Sequence, residues 1–315
     1  MPVDRDTDRA TLFIGLGKMG EPMVRRYAPT RSTYVYDAVP QTASQIASET
    51  GTAVVTSLAQ VPKSVEAVIL MLPNSAVVES VLLGADPVNG LLLKLPSDAL
   101  VIDMGSSQPA STRMLAARAR ELGIEFVDAP VSGGVAKARN GTLSIMMGGT
   151  TAGIRRARPH VASMGSHVFE IGPAGAGHAA KALNNWLSAA NIAVAAEALS
   201  IAVQSGIPAE VMIRALNAST GRSQATEVKY PNHILPGTFD SGFDFDLMLK
   251  DLHIAYGLAT DQQTFAPILT TVLRSVEAAR SYYKTDSLDH TELARFYTDK
   301  NNVSFHEAHQ ARLNA

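Results

Sequence analysis

The sequence contains no cysteine. That excludes disulfides, thiolate metal sites and a cysteine nucleophile, and it fits a reducing cytosol, so a cytoplasmic location is expected. An excess of one charge is also missing: 27 basic against 29 acidic residues leave a formal net charge of -2. There is no basic block and no basic patch interleaved with aromatics, which argues against nucleic acid as a partner. Residues 1–10 are polar and charged (Asp4, Arg5, Asp6, Asp8, Arg9), the reverse of a signal peptide, and read as a flexible tail. The eight histidines include one close pair, His306 and His309, and H-E-x-x-H is absent, so no metal is expected. Internal repeats and low-complexity stretches are lacking. A single long apolar run, residues 186–203, contains Asn191 and Glu197 and follows Lys181 and two asparagines. It therefore reads as a core helix rather than a membrane span, and no membrane partner is expected.

A chain of 315 residues suggests two domains. The first begins with a short apolar run, Thr11–Ile14, followed at once by Gly15-Leu16-Gly17-Lys18-Met19-Gly20 and then by a helix with Pro22 in its first turn. Each glycine in G-x-G-x-x-G has a task. Gly15 permits the tight turn, Gly17 lets backbone approach a pyrophosphate, and Gly20 lets helix pack on strand, with the phosphates at the helix N-terminus. A second strand, Thr33–Tyr36, ends in Asp37. An acid about 20 residues past the glycines is placed to hold the adenosine ribose hydroxyls. Asp37 would accept from the diol of NAD and repel the 2′-phosphate of NADP, and no arginine follows it, so NAD is favoured. The alternative for Asp37 is a plain turn residue.

Further apolar runs alternate with helical segments. Ala67–Leu72 closes with Pro73-Asn74, Ala99–Ile102 leads to Asp103 and Ser106, Ile124–Val127 leads to Asp128, and Leu143–Met147 ends in two glycines. This alternation predicts a doubly wound, mostly parallel sheet, a Rossmann domain over residues 11–173. Ligands of such sheets bind beyond the carboxyl ends of the strands. Pro73, Ser106 and the Ser132-Gly133-Gly134 turn all fall there. The turn offers a hydroxyl and unbranched backbone amides to an anionic oxygen such as a carboxylate, or it is an ordinary glycine turn. Residues 174–300 read as an all-α domain with helices over Pro208–Asn217, Phe245–Thr260 and Ile268–Tyr283, a loop with Arg222 and Ser223 between the first two, and a tail over 301–315.

The two halves meet in Gly172-Pro-Ala-Gly175-Ala-Gly177-His178-Ala-Ala-Lys181-Ala-Leu-Asn184-Asn185, which opens a long helix running to about Gln204. Lys181, Asn184, Asn185 and Ser188 share one face of it. The rest of the helix is apolar nearly all round, which predicts burial. A buried stripe of one lysine and two asparagines needs partners, either a ligand or, in the plainer reading, solvent and neighbouring caps.

Four patches in register resemble the β-hydroxyacid dehydrogenase family, the relatives of 3-hydroxyisobutyrate dehydrogenase. They are the Gly15–Gly20 motif, Asp128–Gly134 with Ala138 and Gly141, the Gly172–Asn185 stretch, and Lys250-Asp251-Leu252; Met71-Leu72-Pro73 also matches. The resemblance spans about residues 11–300. It implies that Lys181 is the catalytic acid/base and that Ser132, Gly133 and Gly134 hold a substrate carboxylate. Asn185 would orient the substrate with Asn184 in support. Met71, Leu72, Pro73, Ser106 and Lys250 would lie on the cofactor, Lys250 closing the site near the nicotinamide. It implies a homodimer or homotetramer with contacts through the helical domain. Relatives commonly carry threonine at Ser106; serine keeps the hydroxyl.

These residues suit hydride chemistry. The alcohol must lose its proton to a base within hydrogen-bond reach as hydride leaves for the nicotinamide. A free lysine titrates near ~10.4, and burial disfavours the ammonium. His178, one turn earlier on a face about 60° away, is assigned support or packing. The expected reaction joins NAD to a small 3-hydroxy acid or its semialdehyde. Two alternatives are an imine or aldehyde reductase on the same fold, whose relatives usually lack this lysine, and a non-catalytic nucleotide-binding protein, in which the lysine would be lost.

Overall fold

The computed structural model describes residues 9–84, 89–285 and 287–305. Residues 1–8 of the expected N-terminal tail, and His306 and His309 in the expected C-terminal tail, lie outside them. The chain divides into two compact units between Lys181 and Ala182.

The first unit holds, among the described residues, a nine-stranded sheet. Its strands are β1 (Ala10–Ile14), β2 (Thr33–Tyr36), β3 (Ala53–Val54), β4 (Val65–Leu70), β5 (Leu100–Asp103), β6 (Glu125–Asp128), β7 (Val131–Ser132), β8 (Leu143–Gly148) and β9 (Gly165–Gly172). Helices α1 (Gly20–Tyr27), α2 (Pro40–Thr50), α3 (Ser75–Leu83), α4 (Pro109–Glu121), α5 (Gly134–Asn140) and α6 (Thr151–Val161) connect them. The order β3-β2-β1-β4-β5-β6 is parallel throughout, as the alternating pattern predicts. β8 and β7 extend the sheet antiparallel, and β9 pairs parallel with β8.

The continuous apolar runs are explained by burial on both faces. In β1, Phe13 joins one core cluster while Leu12 and Ile14 join another. In β4, Ala67 and Ile69 face the first cluster and Val68 and Leu70 the second. Each fully buried Leu, Ile or Phe contributes about 1.5–3 kcal/mol of transfer free energy. Register then aligns the strand ends: Ile14 pairs with Tyr36 and Leu70, Leu70 with Asp103, and Asp103 with Asp128. The segments that follow these residues leave the sheet along one edge.

α7 (Ala176–Gln204) crosses the division between the units. In the second unit come α8 (Ala209–Asn217), α9 (Phe245–Asp261), α10 (Pro267–Tyr282) and α11 (Glu292–Asn301). A wide π-type helix, Ala225–Ile234, occupies part of the stretch between α8 and α9. Pro231 lies inside it, and the Leu235 amide reaches back five residues to Tyr230 O at 2.8 Å. The buried Tyr230 hydroxyl donates to Ile192 O at 2.7 Å and ties the segment to α7. At its end the chain is more ordered than a tail from residue 301: Phe305 is buried in the helical core. At the other terminus, β1 begins at Ala10.

Burial of α7 is one-sided, which corrects the expectation of an all-round core helix. Alanines together with Ile192 and Leu199 turn inward (Ala182, Ala189, Ala193, Ala196), while Leu183, Leu187, Val194 and Ile201 are 41 to 65% exposed. Length and hydropathy would let this helix cross a membrane, and half of its apolar window is buried inside the protein.

Candidate functional site

The glycine loop is built around positions where a side chain cannot stand. Gly15 has φ +94°, and a Cβ there would come within 2.4 Å of Met71 O. A Cβ at Gly20 would fall 1.9 Å from Gly15 O, so the loop closes on the start of α1 only with glycine at both ends. At Gly17 nothing stands within 4 Å of the same atom. The loop therefore presents an exposed backbone with open space beside it, the cradle a pyrophosphate needs. Leu16 is buried, Lys18 exposed and Met19 half-buried beside that space.

Asp37 ties the loop to the end of β2. Its carboxylate accepts the Leu16 amide at 2.7 Å and the Val39 amide at 2.8 Å. A carboxylate offers about four lone-pair positions, so these two bonds fix its orientation and leave capacity for ribose hydroxyls. Asp37 thus closes its own turn through Val39 and also reaches the glycine loop, 21 residues earlier, through Leu16. Met71, Leu72 and Pro73 follow β4 at the neighbouring strand end; the Met71 amide donates to Ile14 O at 2.8 Å. Ser106, half-buried, follows β5. Its loop is shaped by Asp103, whose carboxylate accepts the Gly105 amide at 3.0 Å and the Ser107 hydroxyl at 2.8 Å. Ser132 lies in β7, opposite Ser144, and Gly133 (φ +134°) and Gly134 (φ +68°) turn the chain into α5. Both glycines are exposed, and Gly134 has nothing within 4 Å of where a Cβ would be.

The start of α7 sits hard against the sheet. A Cβ at Gly177 would lie 2.2 Å from Met146 O and 2.8 Å from Asp128 Oδ2. Asp128, fully buried, accepts the Gly175 amide at 2.8 Å and the His178 amide at 2.9 Å. Lys181 follows one turn later, half-buried. Ser106, Ser132–Gly134 and Lys181 thus belong to the first unit, together with the glycine loop and Asp37.

The second unit carries Asn184, Asn185 and Lys250. Asn185 is buried and donates through Nδ2 to Asp251 Oδ2 at 2.5 Å, while its Oδ1 accepts from Asn184 Nδ2 at 3.2 Å. Lys250 Nζ is 3.3 Å from the other oxygen of Asp251. Asp251, 2% exposed, is therefore the hub of the Lys-Asp-Leu patch, a role that sequence spacing did not reveal. Arg222 is exposed, and the Ser223 hydroxyl is occupied in capping, accepting the Thr226 amide at 3.2 Å. Among the described residues there is no group of His, Asp and Glu side chains fit to hold a metal ion.

A Gly-rich loop at the switch point of a parallel sheet, an acid at the end of the next strand, and a helical second unit define a nicotinamide-dinucleotide-binding oxidoreductase fold. Residues 11–172 match the family described as the NAD binding domain of 6-phosphogluconate dehydrogenase. Residues 175–297 match that described as NAD-binding of NADP-dependent 3-hydroxyisobutyrate dehydrogenase. The chain belongs to the β-hydroxyacid dehydrogenase family. It is 34% identical over 270 residues to 2-(hydroxymethyl)glutarate dehydrogenase of Eubacterium barkeri, covering 85% of this chain and 88% of that one. It is 35% identical over 297 residues to 3-hydroxyisobutyrate dehydrogenase of Pseudomonas aeruginosa, covering 91% and 98%. Among solved structures it resembles Mycobacterium tuberculosis 3-hydroxyisobutyrate dehydrogenase with L-serine, at TM-score 0.81 and 30% identity over 91% of this chain and 98% of that one. The relatives are hydroxyacid dehydrogenases, and the chain is an oxidoreductase of that kind, acting on CH–OH with a nicotinamide cofactor.

Proposed function

We propose that this protein is an NAD-dependent dehydrogenase of a small 3-hydroxy carboxylic acid, working in either direction with the semialdehyde, and that Lys181 is its acid/base. The observation that carries the reading is the seating of α7: its first turn is anchored by Asp128 at the strand end from which the Ser132-Gly133-Gly134 turn departs. A hydroxyl-bearing carboxylate bound by that turn would have Lys181 as its nearby proton acceptor. When bound, the nicotinamide supplies the hydride acceptor. The Ser132 hydroxyl and the amides of Gly133 and Gly134 hold the carboxylate, and Lys181 takes the hydroxyl proton in oxidation and returns it in reduction. Asn185, locked by Asp251, presents a fixed amide one turn beyond Lys181 on the same helix. The role given to Lys250 rests on the family resemblance. NAD is favoured over NADP because the Asp37 carboxylate would repel a 2′-phosphate.

The carboxylate turn and a single proton-transfer group suit a compact acid. L-Serine, present in the solved Mycobacterium tuberculosis relative, is a 3-hydroxy acid of that size. We further propose that the chain self-associates through the exposed Leu183, Leu187, Val194 and Ile201 of α7, since aliphatic stripes of this kind mark interaction surfaces. The test of the reaction is NADH formation at 340 nm with NAD or NADP over 3-hydroxyisobutyrate, 3-hydroxypropionate, serine, glycerate, threonate and 4-hydroxybutyrate. Turnover of one of the 3-hydroxy acids with NAD supports the reading. Silence across the panel while NADH binds would contradict it.

A further inference from the structure

Three segments of the first unit carry the expected reaction: the β5 loop with Ser106, the turn from β7 into α5 with Ser132, and the start of α7 with Lys181. One buried polar cluster bonds the first and the third, and its Asp128 ends β6, four residues before Ser132. Asp103 ends β5 and shapes the Ser106 loop through Gly105 and Ser107. Asp128 ends β6 and receives the amides of Gly175 and His178, which lie 47 and 50 residues further along the chain. Between them stands His178, 1% exposed. Its Nδ1 is 2.7 Å from the Thr112 hydroxyl of α4 and 3.9 Å from Asp128 Oδ2. Its Nε2 has no hydrogen-bond partner and faces Asp103 Oδ2 at 3.7 Å.

This arrangement goes beyond helix capping. The first amides of a helix lack intrahelical partners, and a carboxylate acceptor makes the stronger class of hydrogen bond. Asp128 therefore fixes both the axial position and the rotation of the first turn of α7. Gly177 leaves no room for a side chain, since a Cβ there would lie 2.2 Å from Met146 O and 2.8 Å from Asp128 Oδ2. A helix is stiff over one turn, and Lys181 is five residues beyond Ala176, about 7.5 Å along the axis. Any shift of the first turn is carried to Lys181. The imidazole of His178 fills the gap between two buried carboxylates and braces α7 against α4 and the Ser106 loop. A buried nitrogen without a partner is uncommon; here the ring is held from its other edge by Thr112 and by its own backbone amide.

We infer that Asp128 and His178 are positioning residues that hold Lys181 in register with the Ser132–Gly134 turn. The inference rests on the reading of Lys181 as the acid/base. Asp128→Asn turns one acceptor into an NH2 group facing a backbone N–H, and His178→Gln keeps a polar side chain while losing the brace.

The experiment measures kcat, NADH affinity, the primary deuterium isotope effect with a carbinol-deuterated hydroxy acid, and amide hydrogen exchange of residues 176–184. Asp128→Asn is expected to lower kcat on the order of 10²-fold, the cost of a misplacement near 1 Å. NADH affinity should be unchanged, the isotope effect should rise as hydride transfer becomes limiting, and exchange should speed up at 176–184 but not in β1 or β4. His178→Gln should show the same signs with a smaller kcat loss, and it carries the test if Asp128→Asn fails to fold. A kcat loss that only follows the folded fraction, with the isotope effect unchanged, would overturn the inference. If the wild type turns over no hydroxy acid, the reading of the reaction fails, and exchange decides the anchoring: acceleration at 176–184 upholds it and unchanged exchange overturns it.

Discussion

Asp37 and Asp251 show how one carboxylate can organise a region from two different distances. Asp37 takes the Leu16 and Val39 amides and so sets both the glycine loop and the end of β2. Asp37→Ala should weaken NAD relative to NADP, because both the diol acceptor and the repulsion of a 2′-phosphate are lost. Comparing kcat/KM for the two cofactors tests this, and an unchanged ratio would remove Asp37 from the ribose site. The expected position of Asp37 was legible because the acid follows a recognisable strand and glycine loop in sequence. The work of Asp128 and Asp251 does not show in the sequence, because Asp128 bonds amides 47 and 50 residues away and Asp251 bonds an asparagine 66 residues away, and only the folded chain brings them together. Both lie in motifs that the family resemblance picks out, and neither motif says what the carboxylate does.

At the scale of elements, sequence patterns found those with strong apolar periodicity and missed those without. β2 was placed on its residues, and β1, β4, β5, β6 and β8 within about two, the usual precision of boundaries. β9 was missed because its side chains are largely exposed, so no apolar run marks it. The Ala225–Ile234 helix was missed because Pro231 reads as a breaker, whereas a π-type turn accommodates it. α11 was missed because its composition is polar.

Elements are also joined by buried titratable groups. Tyr27 of α1 bonds Thr11 of β1 at 2.7 Å and His160 Nδ1 of α6 at 2.6 Å. Burial, with Arg31 and Arg156 nearby, pushes His160 down to about 4. A neutral ring can accept at Nδ1 from the Tyr27 hydroxyl, and an imidazolium cannot. The folded value lies below the ordinary 6.5, so the unfolded chain binds more protons between pH 6.5 and 4. Stability from this site is therefore complete above pH 6.5 and is lost as pH falls toward 4, up to roughly 3 kcal/mol. Thermal melts should show Tm falling over that window, less steeply in His160→Gln. An equal slope in that variant would assign the acid sensitivity elsewhere; His290, also held down to about 4 by burial, with Lys229 adding to the effect, is the counterpart in the helical unit.

For the whole molecule, the doubly wound sheet followed by helices was predicted from the alternation of strands and helices, and the family from four motifs in order. The division between Lys181 and Ala182 falls inside α7 rather than before it, because a helix that runs from one unit into the other carries no break in its sequence. Its exposed face was hidden from sequence reasoning for a related reason: an all-apolar helix looks the same whether its second face meets core or another chain. Replacing Leu187, Val194 and Ile201 by serine should lower the molecular mass seen by light scattering while leaving the far-ultraviolet circular dichroism unchanged. A mass unaffected by the substitutions would exclude this stripe as the interface.

The proposed reaction turns on proton transfer by Lys181. Lys181→Ala should bind NADH as the wild type does, yet lose roughly 10²–10⁴-fold in turnover of the preferred hydroxy acid, the contribution expected of a positioned acid/base. Turnover within a few-fold of wild type, with the cofactor bound, would contradict the account.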